Sequence, residues 1–377
     1  MVNTRGIARL GMLAVGLGIG AAVAQTPVAS ADTSTDWLSS LDSLLTGALP
    51  AAAPSGDLAI SFDGMSLVTS DTATATTVAG QFGLAIAEGD GAKAVAEGGT
   101  GDYALADGTN ALANAGDSAA GATGSNFDSA IDIGSNPDPS SIVGFPDGAF
   151  AGNGSLIGGT DVGTSSNDTA IDIGSNGVDS GAPLDGGNSG AFAGAGQLIG
   201  ASGDGNGDTA INFGNLDGFG LGPAAVDGTG NFASDSGNAT GDNLGALAGF
   251  GNDNTAYVDG GTSSASAGGE YGATTPADLG NNDIAYVIDP SGADGSSANA
   301  GFDYMTDVTG NNDLAAVLFA DGLTANAGGA DGVTTILPAL GAEATTGGSF
   351  LADLFPSLGE SAASSGSNFL TDLLSLF

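Results

Sequence analysis

The feature that most constrains the fold is a short sequence core that recurs at a fixed spacing. The pattern D-[ST]-A-I-[DN]-[IF] begins at Asp128, Asp168 and Asp208, so successive copies lie 40 residues apart. The first two copies are each followed by a second shared segment, GAFAGNGSLIGG from Gly148 and GAFAGAGQLIGA from Gly190. Self-similarity at a fixed period indicates stacked supersecondary units rather than one globular core.

The repeat continues in weaker form on both sides of these copies. Downstream, a polar residue, one further residue, and then Ala with an apolar pair recur at Asn254, Asp283 and Asp313. Upstream, Asp102 and Asp117 begin looser forms of the same scheme. The repetition therefore extends well beyond the three strong copies.

Each 40-residue unit divides again, because 20 residues separate Ala130 from Phe150 and 20 more separate Phe150 from Ala170. Short strand-forming runs alternate with G-S-N and G-N turns, which favour positive φ. We therefore predict a mainly β protein, a β-solenoid of the parallel β-helix or β-roll type, with Gly-, Ala-, Asn- and Asp-rich coils of about 20 residues. The alternative is a largely disordered low-complexity chain, because the 377 residues include 69 Gly and 43 acidic residues.

The alternation within the repeat predicts which side chains are internal. In the copy that begins at Asp168, Ile171 and Ile173 fall on one face of the strand, and Asp168 and Asp172 fall on the other. We predict that the two isoleucines face the solenoid interior. The two aspartates would then lie on the opposite face.

Residues 1–31 have the three parts of a secretory signal peptide. Arg5 and Arg9 form the positive region, residues 10–24 form the apolar region, and Ala29-Ser30-Ala31 is a cleavage site. We expect the mature chain to be secreted or held at the cell envelope. It would have no transmembrane span, because no further run of about 20 apolar residues follows.

The remaining charge limits the partners and the chemistry. Cleavage removes two of the three basic residues and leaves Lys93, so the formal net charge of −40 becomes still more negative. One lysine cannot neutralise phosphates, which excludes nucleic acid. The chain also has no Cys and no His, which excludes Ser-His-Asp and Cys-His nucleophiles and the usual zinc sites. We therefore expect no catalysis and predict a structural or interaction protein that presents an acidic repeat surface.

Composition divides the mature chain into four parts. These are an amphipathic helix with its linker at 32–56, a β cap at 57–88, the repeat solenoid at 89–335 and amphipathic helices at 336–377. In the cap, Asp63-Gly64 joins two alternating apolar runs and predicts a hairpin. The terminal helices would cap the solenoid, or the C-terminal ones would dock into an envelope or protein partner, and uncovered strands would permit self-association.

Calcium is the candidate cofactor, and the alternative is that there is none. Hard cations take oxygen ligands from carboxylates, amides and backbone carbonyls. Three turns offer such oxygens, from Asn252, Asp253, Asn254, Asn281, Asn282, Asp283, Asn311, Asn312 and Asp313. In the alternative, these residues only form turns and keep the chain soluble. A calcium-binding secreted repeat protein or an adhesin-like surface protein is the alternative function.

Two family resemblances accompany these observations. The signal peptide, the Ala/Gly/Asn/Asp richness and the lack of Cys and His resemble exported glycine-rich proteins of actinobacteria, including the repeat regions of the mycobacterial PE-PGRS family. The N-terminal PE domain and tandem GGAGG triplets of that family are missing. The stretch GTNALANAGDSAAGATG from Gly108 is similar to the β-roll heads of trimeric autotransporter adhesins, whose coiled-coil stalk and membrane barrel are missing. The first resemblance covers composition over 89–335, and neither implies a site residue.

Overall fold

The structure is a computed structural model that describes most of the predicted cap and repeat region. It describes residues 57–338 except 70, 118–123, 137–147, 154–163, 175–189, 195–203, 215, 218–221, 237–238, 241–244, 260–262, 270–279, 289–294, 304–307, 319–322, 329–331 and 333. The predicted signal peptide, the predicted helix at 32–56 and nearly all of the predicted C-terminal helices lie outside the described residues.

The described residues form strands joined by turns, and no helix among them is long and apolar enough to cross a membrane. The strands, in chain order, are β1 Leu58–Phe62, β2 Met65–Val68, β3 Thr74–Thr77, β4 Leu84–Glu88, β5 Lys93–Glu97, β6 Gly99–Thr100, β7 Tyr103–Asp107, β8 Leu112–Asp117, β9 Ser125–Asn126, β10 Ser129–Ile133, β11 Gly148–Asn153, β12 Ser165–Ser166, β13 Thr169–Ile173, β14 Gly190–Gly194, β15 Gly205–Asn206, β16 Thr209–Phe213, β17 Leu216–Asp217, β18 Ala224–Thr229, β19 Phe232–Ser236, β20 Ala239–Thr240, β21 Ala246–Asn252, β22 Thr255–Asp259, β23 Ser264–Gly268, β24 Ile284–Ile288, β25 Ser297–Asp303, β26 Val308–Thr309, β27 Leu314–Leu318, β28 Thr324–Gly328 and β29 Thr334–Pro338.

Most of these strands belong to two long sheets that face each other, as predicted for a β-solenoid. Sheet A has the order β2-β1-β4-β7-β10-β13-β16-β19-β22-β24-β27-β29, and it is parallel from β4 onward. Sheet B runs parallel from β3 through β5, β8, β11, β14, β18, β21 and β23 to β25, which also pairs with β28. The chain alternates between the sheets, so each coil adds one strand to each.

The coils are longer and less uniform than the predicted 20 residues. Asp132 of β10 pairs with Asp172 of β13, so one 40-residue repeat is a single coil and not two. The 20-residue spacing instead separates the sheet-A strand from the sheet-B strand within one coil. Elsewhere the coil is shorter: Leu84 pairs with Tyr103, only 19 residues further along the chain.

Alanine fills the space between the two sheets. Each sheet-A strand from β7 to β27 contributes one fully buried alanine, namely Ala104, Ala130, Ala170, Ala210, Ala233, Ala256, Ala285 and Ala315. Sheet B contributes a facing column of Ala96, Ala115, Ala151, Ala193, Ala225, Ala248, Ala267, Ala300 and Ala327. Methyl groups leave room for only a thin interior, which large side chains could not share.

The predicted orientation of the repeat strand is wrong. Ala170 and Asp172 are fully buried, whereas Ile171 is only partly buried and Ile173 is 36% exposed. The alternation was identified correctly, but the inner face is the one that carries alanine and aspartate. The isoleucines point outward because the interior is too narrow for branched side chains.

The predicted hairpin at the start of the cap is confirmed. Strands β1 and β2 are antiparallel, and the turn residues Asp63 and Gly64 have φ of 46° and 78°. Asp63 Oδ1 accepts the Gly80 N–H at 2.5 Å, and the hydroxyl oxygens of Ser61 and Thr77 lie 2.7 Å apart. The hairpin is thereby linked to strand β3 at the N-terminal end of sheet B.

Candidate functional site: a buried ladder of aspartate and asparagine

The most distinctive polar feature of the molecule is a column of Asp and Asn side chains inside the solenoid. One residue of the column directly precedes each sheet-A strand from β7 to β27, and all are at most 2% exposed. We call this column the Asx ladder, and its members are Asp102, Asp128, Asp168, Asp208, Asn231, Asn254, Asp283 and Asp313. Aspartate is rarely buried so completely unless it is hydrogen-bonded.

Each ladder side chain binds the main chain of the next coil. Oδ1 of Asp168 accepts the backbone N–H of Asp208 at 2.8 Å, and Oδ1 of Asp208 accepts that of Asn231 at 2.9 Å. Seven such bonds of 2.8–3.2 Å run without interruption from Asp102 to Asp313. The ladder therefore links eight coils along the solenoid axis.

The second oxygen of the ladder carboxyls has different surroundings in different coils. The hydroxyl of Ser125 donates to Asp128 Oδ2 at 2.7 Å, and Ser165 donates to Asp168 Oδ2 in the same way. In the next coil the equivalent residue is Gly205. Asp208 Oδ2 is buried and has no hydrogen-bond partner among the described residues.

Asparagine at the ladder position shows how such a site is satisfied without a serine. The amide nitrogen of Asn254 donates to the carbonyl oxygens of Gly280 at 3.0 Å and Gly249 at 3.3 Å. An ionised carboxylate has no hydrogen to donate, whereas a protonated one does. The coils with Asn thus carry permanently the donor that a coil with Asp acquires on protonation.

Burial makes the ladder carboxyls weak acids. Burial and the neighbouring Asp128 carboxylate raise the pKa of Asp168 to about 9, and the same causes raise the pKa of Asp102 to about 7. Burial raises the pKa of Asp128 to about 6. Burial, followed by the charge of Asp227, raises the pKa of Asp208 to about 7. The ladder therefore takes up and releases protons near neutral pH.

The glycines of sheet B create the space that the ladder occupies. Gly194 has φ of 111°, and a Cβ added there would lie 2.6 Å from Ser165 Oγ and 2.9 Å from Asp168 Oδ2. Both separations are too short for a carbon atom. Glycine is required here by its backbone conformation and by the close approach of the carboxyl.

A second interior column lies four residues after the ladder in the same strands. Its first members are polar: Asp132 Oδ2 accepts the Leu112 N–H at 2.6 Å and the Asn136 amide at 2.7 Å, and Asn212 donates its amide to Asp172 Oδ1 at 2.7 Å. The full column is Asp132, Asp172, Asn212, Asp235, Val258, Val287 and Val317, all at most 2% exposed.

The nine predicted calcium ligands are brought together as three parallel columns. One column, Asn254, Asp283 and Asp313, belongs to the buried ladder. A second, Asp253, Asn282 and Asn312, is exposed and has φ of 55–61°. The third column is Asn252, Asn281 and Asn311.

The third column is an amide ladder on the surface. Oδ1 of Asn281 accepts both the N–H and the amide of Asn252 at 2.9 Å, and Oδ1 of Asn311 accepts the corresponding groups of Asn281 at 3.1 and 2.9 Å. Within the described ranges, no group of three or more His, Cys, Asp or Glu is arranged to hold a metal. Calcium binding stays a prediction, and thermal melts with and without the ion would test it.

Sequence reasoning identified six of the eight ladder positions as repeat starts and one further position, Asn254, as a calcium ligand as well. It missed Asn231, because Asn-Phe-Ala departs from the D-[ST]-A pattern. It also missed the serines at 125 and 165, although Ser occurs three residues before Asp in both strong copies. That spacing was the available signal for a buried hydroxyl–carboxyl pair.

Comparison with protein-family models, with curated proteins and with solved structures finds no match for this chain. The conclusions about function therefore rest on the fold and on the ladder.

Proposed function

We propose that the protein is an exported, non-catalytic structural or interaction protein of the cell envelope or its surroundings. It acts as a stiff rod that carries surface turns and loops at regular intervals. One observation carries the proposal: the ladder commits the buried polar groups of eight successive coils to bonds between coils. An interior of this kind serves the length and stiffness of the rod.

The dimensions suit a spacer or a display surface. Neighbouring strands lie about 4.8 Å apart, so the twelve strands of sheet A span roughly 50 Å. In repeat architectures each unit contacts mainly its neighbours, and an extended surface results. Residues on that surface, such as those of the Asn252 amide ladder, repeat in register from coil to coil.

The surface carries less charge than the composition suggests, yet it is acidic. Eleven aspartates are buried: Asp102, Asp107, Asp128, Asp132, Asp168, Asp172, Asp208, Asp227, Asp235, Asp283 and Asp313. Exposed acids such as Glu88 and Asp204 face a single exposed lysine, Lys93. We infer that this surface keeps the rod soluble and selects against polyanionic partners.

Export and surface display can be tested with the one lysine. A membrane-impermeant amine reagent applied to intact cells should label Lys93 and the new N-terminus at Asp32. A chain with Lys93→Arg should lose the lysine label and keep the N-terminal one. N-terminal sequencing of the envelope or culture-filtrate protein should begin at Asp32. An unlabelled cytosolic protein that retains Met1 would refute the proposal.

A further inference from the structure

The outer face of sheet A carries large apolar side chains in its last coils. We call these residues the outer stripe; they are Tyr257, Ile284, Tyr286, Ile288, Leu314 and Leu318, and all are only partly buried. Strand pairing aligns Tyr257 with Tyr286, and their rings stack with centroids 4.6 Å apart and planes 15° apart. The stripe therefore forms one continuous surface across β22, β24 and β27.

The opposite outer face of the same coils is polar. Sheet B presents Ser264, Ser266, Ser297, Asn299, Thr324 and Asn326 there. The two outer faces belong to the same coils and differ only in the side chains that they carry. The apolar residues are thus specific to sheet A and are not a general property of the rod.

A continuous apolar surface on an otherwise acidic protein indicates a binding surface. The interior cannot take these side chains, because alanine and the valines of the second column fill it. Their burial therefore needs a partner outside the solenoid.

The chain itself supplies a matching apolar segment. Residues 347–377, which we call the C-terminal segment, contain two apolar clusters at helical spacing: Phe350, Leu351, Leu354 and Phe355, then Phe369, Leu370, Leu373, Leu374 and Phe377. Only eight residues separate it from Pro338, the last residue of β29 in sheet A. Eight extended residues reach about 27 Å, or about five strand spacings. The stripe lies one to three strands away from β29.

Charge argues against the other occupants. The stripe and the C-terminal segment contain no Lys or Arg, so neither attracts an anionic lipid surface. Two copies of the chain, each with a formal net charge near −40, repel one another. A tethered segment of the same chain has an effective concentration in the millimolar range and needs no second molecule.

We propose that the C-terminal segment folds back and packs its Leu and Phe side chains against the outer stripe of sheet A. The segment then covers the side of the solenoid and is not an end cap or an envelope anchor. This inference does not depend on export, so its failure and that of the proposed function are separate results.

Cross-linking tests the contact, because the chain has no cysteine of its own. Ser375→Cys in the C-terminal segment is combined with Ile288→Cys in the stripe. The matched control combines Ser375→Cys with Ser266→Cys on the outer face of sheet B. Both full-length mature chains are treated with a short bismaleimide at low protein concentration, and mass spectrometry identifies the joined peptides. The stripe pair should give about tenfold more intramolecular product than the control, as expected for a tethered contact.

Equal yields from the two pairs would overturn the proposal. So would a product that forms only between chains and increases with protein concentration, which would assign the stripe to a second copy. A second variant, Leu373→Asp with Leu374→Asp, should uncover the stripe and increase the fluorescence of a bound apolar dye several-fold. Unchanged dye binding in a chain with a normal circular dichroism spectrum would also contradict the contact.

Discussion

The Asx ladder stays polar through eight coils, whereas the second interior column, four residues further along the same strands, changes from Asp and Asn to Val. Both columns are buried, and both repeat once per coil. In the second column the change falls between Asp235 and Val258, which are paired directly in β19 and β22. The same solenoid thus tolerates two kinds of interior at one position and only one at the other.

The difference follows from the main-chain groups that each position serves. The ladder residue precedes its strand, and its N–H is bound by the ladder side chain of the preceding coil, as for Asp208 and Asp168. An apolar side chain there would leave a buried N–H without an acceptor. A residue of the second column, such as Val287, lies within its strand, where parallel pairing satisfies the main chain. Its side chain is therefore not needed as a hydrogen-bond acceptor.

The largest effect is expected when the ladder is interrupted. Asp168→Val would remove the acceptor of the Asp208 N–H and of the Ser165 hydroxyl, both of which are buried. Each unsatisfied buried group costs about 1–3 kcal/mol, so the free energy of unfolding should fall by about 4 kcal/mol in urea titrations. Asp168→Asn keeps Oδ1 and should cost less than about 1 kcal/mol. Equal losses for the two variants would show that the ladder bonds do not stabilise the fold.

The second column provides a reciprocal exchange. Val287→Asp would bury a carboxyl among Val258, Val317 and alanine, and should reduce the free energy of unfolding by about 3 kcal/mol. The combined change Asp172→Val with Asn212→Val removes both partners of one buried hydrogen bond, and should be close to neutral. Urea unfolding of both variants measures the difference. A double valine variant as unstable as Val287→Asp would contradict the comparison.

The buried carboxyls predict that stability falls as the pH rises. Their pKa values in the folded chain, about 7 for Asp102 and Asp235 and about 9 for Asp168, lie above the ordinary value of 3.8. The folded state therefore binds protons more tightly than the unfolded state, and its advantage is largest near pH 4 and is lost as the pH rises toward 9. Urea midpoints should decrease between pH 5 and pH 9, as buffered titrations would show.

Asp168→Asn separates this effect from repulsion between surface charges. The variant removes one titrating group from the interior and leaves the exposed acids unchanged. It should flatten the decrease most clearly between about pH 7 and pH 9, where Asp168 ionises. An increase of stability with pH in the unaltered chain would contradict the assignment of the carboxyls to the interior.

The smallest effect is expected on the outer face of the repeat. Ile173 is 36% exposed at the end of β13, so Ile173→Asp should change the free energy of unfolding by less than about 1 kcal/mol. Thermal and urea unfolding check this value against Asp168→Val. A loss as large as that of the ladder variant would mean that the isoleucines, and not the aspartates, face inward.

The sequence was sufficient to predict strands, a solenoid and the cap hairpin. Asp63-Gly64 has the chemistry that a hairpin turn requires, and the fixed spacing of Asp128, Asp168 and Asp208 requires equivalent positions in stacked coils. These features depend on local conformation and on repetition, both of which are visible in a single chain.

The inner face was mispredicted because burial was inferred from hydrophobicity alone. The narrow interior selects for size, and the position of Ala170 is Ala in every sheet-A strand from β7 to β27, whereas the position of Ile171 varies from Ile to Tyr, Ser and Ala. Constancy within the repeat was the better signal. The outer stripe could not be foreseen, since it depends on which strand face the thin core leaves outside.

Thiol accessibility in the native chain tests the orientation of the repeat strand most directly. The chain has no cysteine, so Ala170→Cys and Ile173→Cys each introduce one thiol, three residues apart in β13. The account predicts that a thiol-reactive probe labels position 173 rapidly in the folded protein and labels position 170 only after unfolding in urea. Rapid labelling at position 170 with protection at position 173 would contradict the buried alanine and aspartate interior.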